Sequence, residues 1–255
     1  MFLKILFCQI FLRVVCAEEK CRVHLLELWD DGQAQKKVRC DHDVDVYFDY
    51  LKISDDKPFR IHIYCENLDS SFYNLMPLLN VSDLESVEEL SVLKCGLPEL
   101  YSLLQIKLPR VFKLKLLDVR LTQKFFDKET KIEEIEVDYG GVIEIKYFSF
   151  IRMPKLRKLY VSSAATYRVN GKTIRMHGVV LKEDELADNP RLTHVIIPRS
   201  NIEHLPKTLF GSSTKVQEIN FNHNKIKHVS KNLFKKLTKL RVINFRWNQI
   251  SSIDL

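Results

Sequence analysis

Apolar positions recur at a fixed interval near the end of the chain. Placing 240–255 under 216–239 pairs Val216 with Leu240, Ile219 with Ile243, Phe221 with Phe245, Asn224 with Asn248, Ile226 with Ile250 and Val229 with Ile253, an offset of 24 residues. Polar residues stand between the apolar ones around 218–222, so this stretch predicts a short strand with one face turned inward and one outward. A lone amphipathic helix explains neither the strand-like alternation nor agreement at six positions over one spacing. One unit has nothing to bury its apolar side against. Stacking on its neighbours buries it, so the pattern predicts a solenoid in which each unit touches only the next.

The same frame runs back through the chain. Units begin at Val87 (then Leu90, Val92, Cys95, Leu97), Val111 (Leu114, Leu116, Val119, Leu121), Ile132 (Ile135, Val137, Gly140, Val142, Phe150), Leu156 (Leu159, Val161, Ala164) and Leu192 (Val195, Ile197, Ser200, Ile202, Leu205, Phe210). The ninth position reads Cys95, Val119, Gly140, Ala164, Ser200, Asn224 and Asn248. An Asn amide there closes a tight turn by bonding buried backbone groups, so the early turns are expected to be less regular. Phe210 and Phe234 share the nineteenth position and predict an aromatic spine on the far side. The fourth unit has 36 residues instead of 24, and the excess falls in 166–178, read as a surface loop. The frame L-x-x-L-x-L-x-x-N-x-L resembles the leucine-rich repeat. The expected fold class is α/β: a leucine-rich-repeat solenoid with a parallel concave sheet, an irregular, 3-10 or helical convex side, and a disulfide-bonded N-terminal cap. About seven units fill 87–255. The last stops at its sixteenth position, so a longer protein is expected, and the uncovered unit should make the chain self-associate.

Residues 18–86 do not follow the frame. Val44, Val46 and Phe48 alternate with polar neighbours, as do Ile61 and Ile63, with Pro58 between, so short strands of a terminal cap are expected. Residues 1–17 read as a secretory signal: Lys4, an apolar run from Ile5 to Val15 interrupted by Gln9 and Arg13, then Val15-Cys16-Ala17 before the cut. The run is too short to span a bilayer, and no later stretch reaches 18 apolar residues. Two of the six cysteines leave with the signal. Cys21, Cys40, Cys65 and Cys95 remain, an even number in an exported chain, and three pairings are open. Chain order and expected strand adjacency favour Cys21–Cys40 within the cap and Cys65–Cys95 between cap and first repeat. No C-x-x-C spacing supports zinc. Asn80-Val81-Ser82 is a glycosylation sequon.

Composition is that of a globular chain, with 45% hydrophobic residues and a formal charge of +7. The excess is local: 199–246 holds eleven Lys and Arg against Glu203 and Glu218. A solvated basic surface explains it without nucleic acid. Catalytic and cofactor signatures are missing: no H-E-x-x-H, G-x-S-x-G or G-x-G-x-x-G occurs, and Asn170-Gly171-Lys172-Thr173 lacks the first Gly of a phosphate loop. Asp41, Asp43 and Asp45 lack the Gly and Glu of a calcium loop, and His62 reads as an outward or capped residue. Neither enzyme activity nor a cofactor is expected. What remains is surface. The outward strand positions supply the candidate ligand face: Lys115, Glu136, Asp138, Tyr160, Ser162, Asn220, Asn222, Asn244, Arg246 and Trp247, with Ser91 and Ile196 beside them.

The stretch from Ile63 through Cys65-Glu66-Asn67-Leu68 to Tyr73, then Val87 through Cys95-Gly96-Leu97-Pro98, and later Asn201-Ile202-Glu203-His204-Leu205-Pro206, resembles the N-terminal ectodomain of insect Toll receptors of the Toll-like receptor family. The likeness runs from about Phe59 onward. It implies a cell-surface receptor that binds a Spätzle-type cystine-knot cytokine in innate immunity and development, with receptor dimerisation as a further contact. It also implies a structural disulfide role for Cys65 and Cys95. The insertion at 166–178 departs from the family pattern, and the membrane span and signalling domain are not in this sequence. A short secreted repeat protein, acting as a soluble decoy or an adhesion scaffold, is the alternative.

Overall fold

The computed structural model describes residues 22–28, 34–40, 44–50, 58–65, 84–95, 108–119, 131–139, 150, 153–163, 166–169, 172–175 and 179–254. The expected leader 1–17, Cys21 and Asn80 lie outside these residues, as do Leu97, Leu121, Gly140, Val142 and Ala164. The chain divides into two compact units, Met1–Val111 and Phe112–Leu255.

In the first unit, β1 (Arg22–Leu28), β2 (Ala34–Cys40), β3 (Val44–Tyr50) and β4 (Arg60–Cys65) pair antiparallel in chain order. β5 (Glu89–Leu93) then joins β4 in parallel. The alternation expected of β4 is realised, with Ile61, Ile63 and Cys65 buried and Arg60, His62 and Tyr64 partly exposed. Register pairs Tyr64 with Leu93 and so sets the ends of β4 and β5 side by side. There Cys65 and Cys95, both fully buried, form a disulfide with Cα atoms 5.1 Å apart. The proposed Cys21–Cys40 partner pair lies outside the described side chains.

A charged group closes this unit's sheet. The buried Asp49 accepts from Gln35 Nε2 at 2.8 Å and from His62 Nε2 at 2.9 Å, and Arg60 bridges it to Glu89 at 3.6 and 3.0 Å. Burial alone raises the Asp49 pKa. The hydrogen bonds from His62 and Gln35, with the charges of His62 and Arg60, outweigh it and hold the carboxyl below its usual 3.8. His62 is therefore a capped residue, its cap being a buried carboxylate.

The second unit is the repeat array. β6 (Lys113–Leu117), β7 (Glu134–Tyr139) and β8 (Lys158–Ser163) come first. The hairpin strands β9 (Thr166–Val169) and β10 (Lys172–Arg175) follow, then β11 (His194–Ile196), β12 (Glu218–Asn220), β13 (His228–Val229), β14 (Val242–Asn244) and β15 (Ser252–Ile253). Strands β6, β7, β8, β11, β12 and β14 lie side by side in parallel. Register aligns Leu114, Ile135, Leu159, Val195, Ile219 and Ile243 in one row, the fourth position of each unit. All but Ile243 are buried to 2% exposure or less, whereas Ile243 is 50% exposed. Ile132, Leu156, Leu192 and Val216, first positions of their units, are buried too. The fold is thus a leucine-rich-repeat solenoid of stacked parallel strands. Among the described residues the segments after the strands include a 3-10 turn at Lys231–Leu233, whose cap Ser230 accepts from Asn232 N, and a short parallel pair of β13 with β15.

The ninth-position Asn behaves as its chemistry demands. Asn224 Oδ1 accepts from Ser200 N and Ile202 N, each at 3.0 Å. Its Nδ2 donates to the carbonyls of Ile197, Phe221 and Asn222 at 2.8, 3.0 and 3.3 Å. Asn248 repeats the pattern one unit on, donating to Phe221, Phe245 and Arg246 and accepting from Ile226 N. Ser200 reproduces part of it, donating to Pro198 O and Val161 O. The residue before each such turn carries a positive φ: 57° at Lys94, 53° at Asp118, 49° at Arg199, 54° at His223 and 60° at Trp247. These non-Gly residues stay in the left-handed region because ladder bonds such as Arg199 N to Asn222 O and His223 N to Arg246 O hold the turn.

Three features depart from the sequence reading. A second ladder runs on the other side of the strand: the fully buried Asn189 donates to Phe150 O and Ala187 O and accepts from Met153 N and, through its own amide, reaches Ser213 Oγ 24 residues later. The insertion expected as a loop carries an antiparallel hairpin, β9 with β10. Among the described residues the phenylalanine ring contacts of the last units are Phe221 stacked on Phe245 at 5.8 Å and Phe234 edge-on to Phe245 at 6.3 Å, so the stacked pair is at position six and not the expected nineteen. Backbone space also matters at Gly211, φ +45°, where a Cβ would fall 2.5 Å from the Ala187 Cβ one unit earlier.

One buried position is strained chemically. Glu185 stands 24 residues before Leu209 and 48 before Leu233, in the column those leucines fill, and is 1% exposed. Burial raises its pKa above the usual 4.5, although hydrogen bonds to the Phe150 and Lys182 backbone pull the other way, and its Oε1 has no hydrogen-bond partner.

Candidate functional site

Parallel pairing in register turns sequence positions into rows on the open face of the second unit. The first row is Lys113, Glu134, Lys158, His194, Glu218 and Val242. The second is Lys115, Glu136, Tyr160, Ile196, Asn220 and Asn244, and the third includes Leu117, Asp138 and Ser162. Charges pair along the rows: Lys158 to Glu134 at 2.8 Å, Lys115 to Glu136 at 3.5 Å and His194 to Glu218 at 3.9 Å. Partly exposed pairs of this kind contribute little to stability. They do fix where the long side chains lie.

The paired charges lead away from a hollow of about 430 Å3 lined by Asp138, Tyr160, Ser162, Ile196, Pro198, Arg199, Asn220 and Asn222. Five of the ten candidate face residues therefore meet here: Asp138, Tyr160, Ser162, Asn220 and Asn222. Asn220 Oδ1 accepts from the Asn222 backbone N–H at 3.1 Å, which orients the Asn220 amide. Asn222 Oδ1 is buried and has no hydrogen-bond partner, and a buried acceptor left so costs about 1–3 kcal/mol. Tyr160 supplies an aromatic body, Asp138 a carboxylate and Arg199 an exposed guanidinium. The hollow suits a side chain that brings a hydrogen-bond donor.

The other candidates lie outside it. Lys115 and Glu136 are tied to each other, and Asn244 Oδ1 accepts from Arg246 N at 3.0 Å. Trp247 is 74% exposed and stacks on His223 with centroids 5.6 Å apart. Ser91 belongs to the first unit and is buried. Pro198 and Arg199 were missed by the sequence reading, because they follow a three-residue strand and enter the hollow only through the turn at Arg199.

These features define the class: a leucine-rich-repeat solenoid, a scaffold that typically presents a binding surface and performs no catalysis. A family model described as leucine rich repeat matches residues 190–250. A chain from the structure of the Toll–Spatzle complex, a molecular hub in Drosophila development and innate immunity, in its glycosylated form, shares this fold. The TM-score is 0.57 at 12% identity, over 95% of this chain and 34% of that one. A further chain from the Toll–Spatzle complex gives a TM-score of 0.45 at 12% identity, over 89% of this chain and 35% of that one. This chain thus spans about a third of the length of the solved chains it resembles. No curated protein matches it by sequence. Among the described residues no helix is long and apolar enough to cross a membrane.

Proposed function

We propose that this chain is a ligand-recognition region of a Toll-like receptor ectodomain, extracellular, and that its open face binds a Spätzle-type cystine-knot cytokine. The observation that carries the reading is the hollow at Asp138, Tyr160, Ser162, Asn220 and Asn222, where an unpartnered buried acceptor sits beside an aromatic ring and a carboxylate. Aromatic anchors in such pockets dominate protein interfaces. A protein donor group entering here satisfies Asn222 Oδ1, and Asp138 favours a cationic one. The fold likeness to a chain of the Toll–Spatzle complex supports the choice of partner class. The expected leader, the sequon at Asn80 and the Cys65–Cys95 disulfide agree with an exported protein.

The test is surface plasmon resonance of the purified chain over an immobilised Spätzle-type cytokine. Tyr160→Ala and Asn222→Ala should each weaken binding about tenfold or more, the ordinary range for a hot spot. Lys115→Ala, outside the hollow, should change it less than about threefold. Full affinity in a folded Tyr160→Ala, Asn222→Ala double variant would remove the hollow from the interface.

A further inference from the structure

The basic excess of the array is not spread evenly. All eleven Lys and Arg of 199–246 are exposed, and the face just described holds only Arg199 and Arg246 of them. Two of the rest, Lys215 and Lys239, continue a register that begins earlier in the array. Strand pairing aligns Glu134, Lys158, His194, Glu218 and Val242. The residue three places before each is basic and exposed: Lys131, Lys155, Arg191, Lys215 and Lys239. Equivalent backbone positions on adjacent strands lie about 4.8 Å apart, so these five cations form a ridge along the rim where the strands begin.

The backbone holds that ridge in place. In each unit the two residues entering the strand donate to one carbonyl of the unit before: Arg157 and Lys158 to Glu133 O, Thr193 and His194 to Arg157 O, Gln217 and Glu218 to Thr193 O, Arg241 and Val242 to Gln217 O. The buried Asn189–Ser213 ladder sits two residues before Arg191 and Lys215. The positions directly before the ridge are Thr130, Pro154, Pro190, Thr214 and Thr238, none of them acidic. Two carboxylates of these units have partners outside the ridge: Asp188 accepts from Ser212 Oγ at 2.7 Å, and Glu133 meets Arg157 at 3.5 Å. Arg241, also exposed, lies two residues after Lys239.

We infer that this rim is a binding track for a linear sulfated polysaccharide, separate from the protein-binding face. A row of like charges at one-strand spacing matches a polymer that carries regularly spaced anions, and releasing its counterions drives the association. The buried Cys65–Cys95 disulfide places the chain in an oxidising compartment, where sulfated glycans, not nucleic acids, are the abundant linear polyanions. The track does not use the hollow, so it stands or falls independently of the cytokine reading.

The experiment measures binding of the whole chain to immobilised heparan sulfate across a salt series. Arg191→Gln, Lys215→Gln and Lys239→Gln combined should lower affinity about tenfold or more and flatten the log–log salt dependence by about two. The combination Lys207→Gln, Lys225→Gln and Lys227→Gln removes the same charge from exposed positions beyond the strand ends, and should change affinity less than about threefold. Thermal melts by circular dichroism check that both variants fold. Equal weakening by the two combinations would overturn the track in favour of diffuse charge. Equal binding of a desulfated polymer, or tighter binding of single-stranded DNA of matched charge, would overturn the ligand class.

Discussion

Replacing Asn224 by Ala tests what holds the repeat turns. The side chain bridges two units: it accepts from Ser200 N and Ile202 N on one side and donates to Ile197 O, Phe221 O and Asn222 O. It is 6% exposed, so water does not replace it. Two amide donors lose their only acceptor in this turn, at about 1–3 kcal/mol each. The carbonyls suffer less, because each has a second lone pair. The effects share one site and do not add fully, which gives a loss of about 3–5 kcal/mol, a large share of the ~5–15 kcal/mol of a typical domain. Asn248→Ala removes the same group where the surroundings are only part-buried, and should cost about 1 kcal/mol. Urea unfolding followed by circular dichroism measures both, and hydrogen exchange at Ser200 and Ile202 localises the loss. Losses of equal size at the two positions, or slow exchange retained at both amides in Asn224→Ala, would refute the bridging account.

Three further outcomes follow from the buried charges and the disulfide. Glu185 has a raised pKa, so the folded state holds its proton more tightly than the unfolded one, and its contribution to stability falls as pH rises from 4.5 through the folded value. Glu185→Gln should leave stability nearly unchanged at acid pH and raise it by about 1 kcal/mol at pH 8, seen as a flatter curve of urea midpoint against pH. Asp49 has the opposite sign: its lowered pKa contributes stability above 3.8 that disappears as pH falls through the folded value. Asp49→Asn should lose stability at neutral pH and titrate less below pH 3.8, by the same measurement. Cys65→Ser with Cys95→Ser opens a loop with a sequence separation of 30. It should cost about 2–4 kcal/mol in thermal or urea unfolding.

Much of this molecule was legible in the residues. A frame with apolar residues at positions 1, 4 and 6 leaves few packings open, because only stacking at constant register buries them all. Frame positions such as Leu90, Leu114, Ile135, Leu159, Val195 and Ile219 are buried, and Asn224 and Asn248 bond as a turn-closing amide must. Other features were hidden in the same letters. Asn189 and Ser213 share the 24-residue spacing but sit in a segment with no strand, so nothing marked them as a ladder. Asn170-Gly171 between two runs of polar and β-branched residues is a hairpin signal as well as the tail of an incomplete phosphate-loop pattern. Glu185 shares a column with Leu209 and Leu233, and only that alignment marks its carboxyl as buried.

The sequence by itself determined the repeat, the inward rows and the set of outward residues, because a strand's two-residue period and the need to bury one face depend only on neighbours in the chain. Only the tertiary structure decided which of those outward residues meet. Asp138, Ile196 and Asn222 are far apart in sequence and adjacent only because parallel strands align them across units. Arg199 joins them because a left-handed turn carries it back over the strand ends. The ridge of Lys131, Lys155, Arg191, Lys215 and Lys239 likewise exists only once the strands are in register. Periodicity states which way a side chain faces, and register between strands states what it faces.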